Sequence, residues 1–365
     1  MIVKHLQLSD FRKLNKKELE FSPQLNIILG PNAAGKTNIL ESLFLLATGK
    51  SFRADSDIEM IEFEKDFCRV KGNIKLFSTQ SIELETIITR GEVMGVKTQL
   101  KKYSVNGVGK RMIDFVGNLK VVLFWPEDLE LVTDSPSRRR HYLDFVLIQV
   151  DREYRRSLLS YEKGLRQRNR VLEAIRDAGA HRQQLIFWDQ LLIKSGQYLT
   201  KKREEYIYFI NNFQFSIFNF QSNPKFKFPN YQLFYDKSII SRDRLDQYSE
   251  QEIAAAITLV GPHRDDFSFS LRSTPGVEAR DLSHFGSRGE QRLGILWLKM
   301  GELSYIEKIT NEKPVLLLDD IFSELDHEHR RIIFDIIGNQ QTILTTTDEH
   351  FIENKSLKEI EVIKL

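Results

Sequence analysis

Apolar and polar residues change their period twice along the chain, and the changes divide it into three parts. Up to about residue 132 the apolar residues fall in short runs separated by turn residues, at 2–8, 19–21, 25–29, 68–74, 82–88 and 121–125. Runs of that length predict strands, so this part is mostly sheet. From 140 to 178 the spacing becomes helical, with Leu143, Leu147, Val150, Tyr154, Leu158, Tyr161, Leu165 and Leu172 three, four or seven apart on one stripe. A second helical stretch covers 184–212, and the aromatic-rich, proline-bearing residues 213–229 read as core beneath the helices. Strand-and-turn character then returns near Thr258 and continues to 334. The pattern predicts an α/β head built from both chain ends, residues 1–131 and 259–365, carrying a helical lobe inserted over 132–258. The helices are too short for a long coiled-coil arm, and no internal repeat is visible.

Composition narrows the class without naming it. The 365 residues are 41% hydrophobic and 28% charged, ordinary for a soluble chain with ample core. A single cysteine, Cys68, excludes an intramolecular disulfide, and no secretory signal precedes the first strand, so a cytoplasmic protein is expected. No apolar run approaches the roughly 20 residues that span a bilayer, so no membrane partner is expected. Net charge is +2, which gives no global argument for a nucleic-acid partner. Locally the balance differs: residues 132–210 hold 16 Lys and Arg against 10 Asp and Glu. Arg138, Arg139, Arg140, Arg152, Arg155, Arg156, Lys163, Arg166, Arg168 and Arg170 lie mostly off the apolar stripe, as a basic ridge for DNA phosphates would. The alternative is a solvated helix face balanced by Asp144, Asp151, Glu153 and Glu162.

The sharpest chemical signal lies between the predicted strand 25–29 and a helical stretch from Asn38. Gly30, Pro31, Asn32, Ala33, Ala34, Gly35, Lys36 and Thr37 form a complete G-x-x-x-x-G-K-T phosphate loop. Such a turn aims consecutive N–H groups and a helix N-terminus at one point, which suits ATP. Lys36 would reach the β and γ phosphates and Thr37 would offer its hydroxyl to Mg²⁺. Far downstream, the apolar run 314–318 ends in Asp319 and Asp320. A buried parallel strand delivers acids to a nucleotide site in this way: Asp319 for the Mg²⁺ shell, Asp320 to polarise the attacking water. Between them, Ser287 and Gly289 precede the helical pattern 293–306, at a helix end that attracts anions. The string Gly261, Pro262, His263, Arg264, Asp265, Asp266 reads as structural, because one histidine and two adjacent acids lack the spacing of a nuclease or zinc site.

Phosphate loop, then Ser-x-Gly-Glu, then apolar-Asp-Asp, then Ser323 to Asp326 is the order of the ATP-binding-cassette class. Further strings run from end to end: Asp10 to Lys13, Gly49 to Arg53, Pro126 to Asp128, Ser135 to Arg140, Arg168 with Asn169, and Gly261 to Phe267. In these the chain resembles the RecF family, short-armed relatives of the SMC-type ATPases that act in bacterial recombinational repair. The resemblance implies an ABC-type ATPase head, a P-loop NTPase fold, whose ATP and Mg²⁺ are shared by two copies. Ser287 and Gly289 of one copy would donate to the γ-phosphate held by the other, and Asp326 would lie at the dimer seam. Arg12 and Arg53 would stand near the phosphates, or else be solvated surface charges. Implied as well are a weak, DNA-stimulated ATPase, an ATP-dependent homodimer on double-stranded or gapped DNA, and help in loading a recombinase during repair, replication restart and the SOS response. The protein partner implied is a RecR-like mediator.

Two positions depart from the wider class. Asp320 replaces the usual glutamate base, so slow turnover is expected, and no switch histidine follows the strand near 342–344. Thr346 or Thr347 would have to supply a hydroxyl there, with His350 slightly later. At the glutamine-loop position stands Glu127, which could reach Mg²⁺ through water. A transporter's ATPase subunit is the rival reading; the Ser-Phe-Arg-Ala stretch 51–54 and the basic lobe argue against it.

Overall fold

The computed structural model describes residues 1–76, 80–213, 228–272, 279–323, 327–348 and 360–365. Most of the aromatic stretch 213–229, together with Asp326 and His350, lies outside them. Two compact units result, one of residues 1–128, 214–228 and 296–365, the other of 129–213 and 229–295.

The first unit is built on a five-stranded parallel sheet in the order Val121–Phe124, Val315–Asp319, Thr342–Thr346, Leu25–Leu29, Ile360–Lys364. The middle strands have no polar alternation: Leu25–Leu29, Val315–Asp319 and Thr342–Thr346 are buried at every position, as a strand covered on both faces must be. Helix Lys36–Thr48 leaves the C-terminal end of Leu25–Leu29 and is buried from Asn38 onward. A second, antiparallel sheet runs Leu14–Glu20, Ile2–Phe11, Phe67–Lys75, Ser81–Thr89, Lys101–Val105, Val108–Lys110. Here one face is covered: Cys68, Val70, Gly72 and Ile74 alternate inward, and a Cβ added at Gly72 would lie 2.8 Å from Leu46 of the helix. The last two strands were not legible as apolar runs because they carry lysines and exposed positions. Asn106 and Gly107, both at positive φ (51° and 73°), close them into a hairpin.

In the second unit the stripe predicted over 140–178 is broken. It forms two helices, Pro136–Val150 and Arg152–Ala178, because Asp151 is extended (φ −127°, ψ 110°) and its side chain accepts from the Tyr154 N–H at 2.9 Å. The apolar stripe continues across the break, with Leu143, Leu147 and Tyr154 fully buried. Helix Leu185–Asn211 packs antiparallel to Arg152–Ala178, joined to it by the left-handed Gly179 and a short turn. A small sheet follows, Asn230–Asp236 with Asp266–Arg272 with Arg280–Asp281. That pairing corrects the expected boundary. Strand Asp266–Arg272 takes its hydrogen bonds from Asn230–Asp236, so the second unit runs to 295 and not to 258, and residues 129–131 belong to it. The boundary falls within helix Arg288–Thr310.

Candidate nucleotide site

The phosphate loop turns on two left-handed residues, Ala33 (φ 64°) and Gly35 (φ 104°), the second being the cap of helix Lys36–Thr48. Pro31, Asn32 and Ala33 are exposed, whereas Gly35, Lys36 and Asn38 are buried. The ammonium of Lys36 curls back into the loop and donates to the carbonyls of Gly30 (2.8 Å) and Pro31 (3.0 Å). Burial lowers its pKa, and the nearby carboxylates of Asp320 and Asp319 oppose that shift. Loop, lysine and both acids therefore occupy one place.

Asp319 ends its strand against the loop. The Thr37 hydroxyl lies 3.0 and 2.9 Å from its two carboxylate oxygens, and the hydroxyl of Thr345 donates to it at 2.7 Å. One threonine hydroxyl and one carboxylate are hard oxygen donors. Among the described residues no cluster of three or more metal-ligating side chains exists, so a cation held here must take its remaining ligands from phosphate and water, as Mg²⁺ does. The donor set fits that ion. Asp320 adopts φ 48°, and its N–H donates to the carbonyl (3.3 Å) and hydroxyl (3.1 Å) of Thr345. A left-handed aspartate costs about 1 kcal/mol, and strain of this kind gathers where a side chain must be aimed. Of the threonines at the end of strand Thr342–Thr346, it is Thr345 that touches Asp319. Thr346 is buried, and its hydroxyl accepts from the Asp348 N–H (3.1 Å).

Neither Arg12 nor Arg53 is a solvated surface charge. Both converge on Glu41, a carboxylate with no exposure in the middle of helix Lys36–Thr48. Arg12 grips it with two N–H groups (3.1 and 2.7 Å), Arg53 with two more (3.0 and 2.7 Å), and the Ser51 hydroxyl donates at 2.6 Å. Burial opposes ionisation of Glu41, but the bonds from Arg12, Arg53 and Ser51 outweigh it and hold its pKa below the ordinary carboxylate value. Arg53 also donates to the side chain of Asn38. Glu41 was missed in the sequence, although a lone acid inside a wholly buried helix was the available signal.

At the glutamine-loop position the structure separates two adjacent acids. Glu127 is exposed, while Asp128 is buried and paired with Lys299 (3.0 Å), whose ammonium also donates to the Leu123 carbonyl at 2.7 Å. Asp128 further accepts from the Trp125 N–H (3.0 Å), so it anchors the far part of helix Arg288–Thr310 to this turn. At the start of that helix, Ser287 is exposed and forms a reciprocal cap: its N–H donates to Glu290 (2.8 Å) and its hydroxyl accepts from the Glu290 N–H (3.3 Å). Gly289 is exposed too, and a Cβ there would meet nothing within 4 Å.

The basic ridge is half of what its composition promised. Arg138 pairs with Glu130 and Asp134, Arg139 is buried against Asp266 (2.6 Å), and Arg140 donates to the Asp265 carbonyl (2.9 Å). All three are engaged within the second unit, Arg139 buried and Arg138 and Arg140 partly open. Arg155 and Arg168 are buried as well. Arg152, Arg156 and Arg166 are exposed, and with Lys163 and Arg170 they recur four, seven, three and four apart along helix Arg152–Ala178, on one outward stripe. The Gly261-to-Asp266 string is structural. His263 lies between the Tyr161 hydroxyl (2.8 Å) and the Thr258 carbonyl (3.0 Å), and burial pushes its pKa down to about 4. Among the described residues no helix is long and apolar enough to cross a membrane.

Residues 2–364 match the family model for the RecF/RecN/SMC N-terminal domain. The DNA replication and repair protein RecF of Lachnoclostridium phytofermentans is 36% identical over 360 residues, covering 97% of this chain and 95% of that one. Its counterpart in Roseiflexus castenholzii is 35% identical, covering 95% and 93%. The chain belongs to the RecF family. A solved structure of the recombination mediator protein RecF-ATPrS in the RecFOR pathway superposes with a TM-score of 0.84 at 30% identity, covering 100% of this chain and 96% of that one. A more distant head, SmcHead bound to the C-winged helix domain of ScpA, shares the fold alone, at 14% identity and a TM-score of 0.51. The RecF-family fold is thus an ATPase head of the RecF/SMC type, and the resemblance read from the motifs holds along the whole chain.

Proposed function

We propose that this RecF-family chain is an ATP-dependent DNA-binding protein of recombinational repair. The observation that carries the reading is the contact of Thr37 with Asp319 beside Lys36, which assembles a phosphate loop and a magnesium acid from opposite ends of the chain. Lys36 and the loop N–H groups hold the triphosphate; Thr37 and Asp319 hold Mg²⁺; Asp320 polarises the attacking water, slowly because its carboxylate is one methylene short. ATP then joins two copies head to head. Exposed Ser287 and Gly289 support this, because a helix end open to solvent is available to another copy's γ-phosphate. The closed dimer grips duplex or gapped DNA through phosphates, with Arg152, Arg156 and Arg166 supplying charge, and hydrolysis releases it. Recombinase loading proceeds with a RecR-like mediator, the RecFOR naming of the similar structure being the support for that partner.

Sedimentation velocity tests the reading directly. Association is expected only with ATP and Mg²⁺, stronger with duplex DNA, lost in Ser287→Arg while ATP binding persists, and prolonged in Asp320→Asn. A monomer under every condition would refute it.

A further inference from the structure

We infer that Glu41 is a positioning residue for the nucleotide site, the single buried carboxylate that fixes Arg12 and Arg53 as a paired clamp for the phosphate oxygens of a nucleoside triphosphate. The inference rests on the proposed ATP site and concerns how that site is pre-arranged. Glu41 belongs to helix Lys36–Thr48, whose first residue is the loop lysine, so whatever it holds is fixed to the same rigid body as Lys36. What it holds comes from two distant loops. Arg12 sits in the turn between Ile2–Phe11 and Leu14–Glu20, at φ 54°, a strained conformation for an arginine. That strain is over-determined: the Arg12 N–H donates to the Met60 carbonyl (2.8 Å), its guanidinium donates to the Glu59 carbonyl (2.8 Å), and two further N–H groups clasp Glu41. Arg53 is set by the turn after the helix. The Ser51 hydroxyl accepts from the N–H groups of Arg53 (3.0 Å) and Ala54 (2.9 Å) while donating to Glu41.

Electrostatics explains why one acid serves two bases. Two guanidinium groups so close repel each other unless a negative charge lies between them, and a buried carboxylate is the strongest available spacer. One acid against two arginines leaves the cluster with a net positive charge. Its donors are also not used up among the described residues: there Nη1 of Arg53 makes no hydrogen bond, and Arg12 keeps an N–H on each Nη. Both side chains remain partly open, 21% for Arg12 and 29% for Arg53, while Glu41 is sealed. Planar guanidinium forks held in place lose little entropy on meeting phosphate, which is the advantage of a preset clamp.

Calorimetric titration of ATP at fixed Mg²⁺ tests this on the full chain. Glu41→Gln is expected to weaken ATP binding roughly ten-fold, the size of one lost charge-assisted hydrogen bond. The same substitution placed on an Arg12→Ala, Arg53→Ala background should cost nothing more, because Glu41 acts only through those two side chains. A full additional loss on that background, or wild-type affinity in Glu41→Gln, overturns the inference. If Glu41→Gln does not fold, Arg53→Lys decides: it keeps the charge but cannot fork across Glu41 and Asn38, so it should lose as much affinity as Arg53→Ala, and wild-type affinity overturns the inference. Lys36→Ala separates the two levels. Unchanged ATP binding in that variant would sink the nucleotide site itself, whereas a Lys36-dependent site indifferent to Glu41 would sink only the clamp.

Discussion

The helical unit and the nucleotide end of the head treat charge in opposite ways. In the helical unit Arg168 and Arg203, each 2% exposed, are enclosed by partners: Asp189, Glu252 and Thr258 around the first, Asp144, Asp265 and Tyr154 around the second. At the nucleotide end of the head, Arg12 and Arg53 stand on turns, partly open, with donors to spare. A closed network adds little net stability over apolar packing, but removing one partner strands the others at high cost. Its use is to fix register. An open network is costly to keep, and its worth lies in the ligand that completes it. The same residue types therefore serve architecture in the helical unit and, in the reading proposed above, ligand binding at the nucleotide end of the head.

The contrast can be broken most forcefully at Arg203. Arg203→Met leaves Asp144 and Asp265 without their cation and should lower stability by about 3–5 kcal/mol, read from denaturant or thermal unfolding. A variant as stable as the parent would show that this network is not closed. Next is acid. His263 is neutral when folded, with its pKa pushed by burial from 6.5 to about 4, so the unfolded chain binds the extra proton in that window. The stability it secures is complete above pH 6.5 and drains away toward pH 4, by roughly 3 kcal/mol. His263→Gln should flatten that part of the pH profile. In the open network the signature reverses: Lys36→Ala should weaken ATP binding about 100-fold, about 2.7 kcal/mol, while the unliganded melting temperature stays put. The smallest effect belongs to the outward stripe. Arg156→Glu with Arg166→Glu should weaken DNA binding about ten-fold and lower the salt slope by roughly two, irrespective of sequence. Arg139→Glu should instead destabilise the fold, through its buried pair with Asp266.

What was legible followed the same division. The phosphate loop, the strand end at Asp319 and the helix start at Ser287 could be read because each is a local string with its own spacing. Glu41 could not, because its partners lie 29 and 12 residues away and no local pattern announces them. At Arg138, Arg139 and Arg140 the partners could not be foreseen, because composition counts charges without them. Asp266, which neutralises Arg139, is 127 residues distant. The break at Asp151 was hidden by an apolar stripe that runs on through it, and the late end of the helical unit by a strand pairing that only tertiary structure reveals.

Gly289 has a consequence of its own. Among the described residues nothing requires a glycine there: the position is helical and a Cβ would meet nothing within 4 Å. Alanine would make the isolated subunit slightly sturdier, by about 0.5–1 kcal/mol, since glycine is a poor helix former. Any harm it did would therefore have to originate outside the subunit, in whatever must press closely against that spot. A substitution that strengthens the single molecule and weakens only its company is a clean instrument for asking what the molecule does in a crowd.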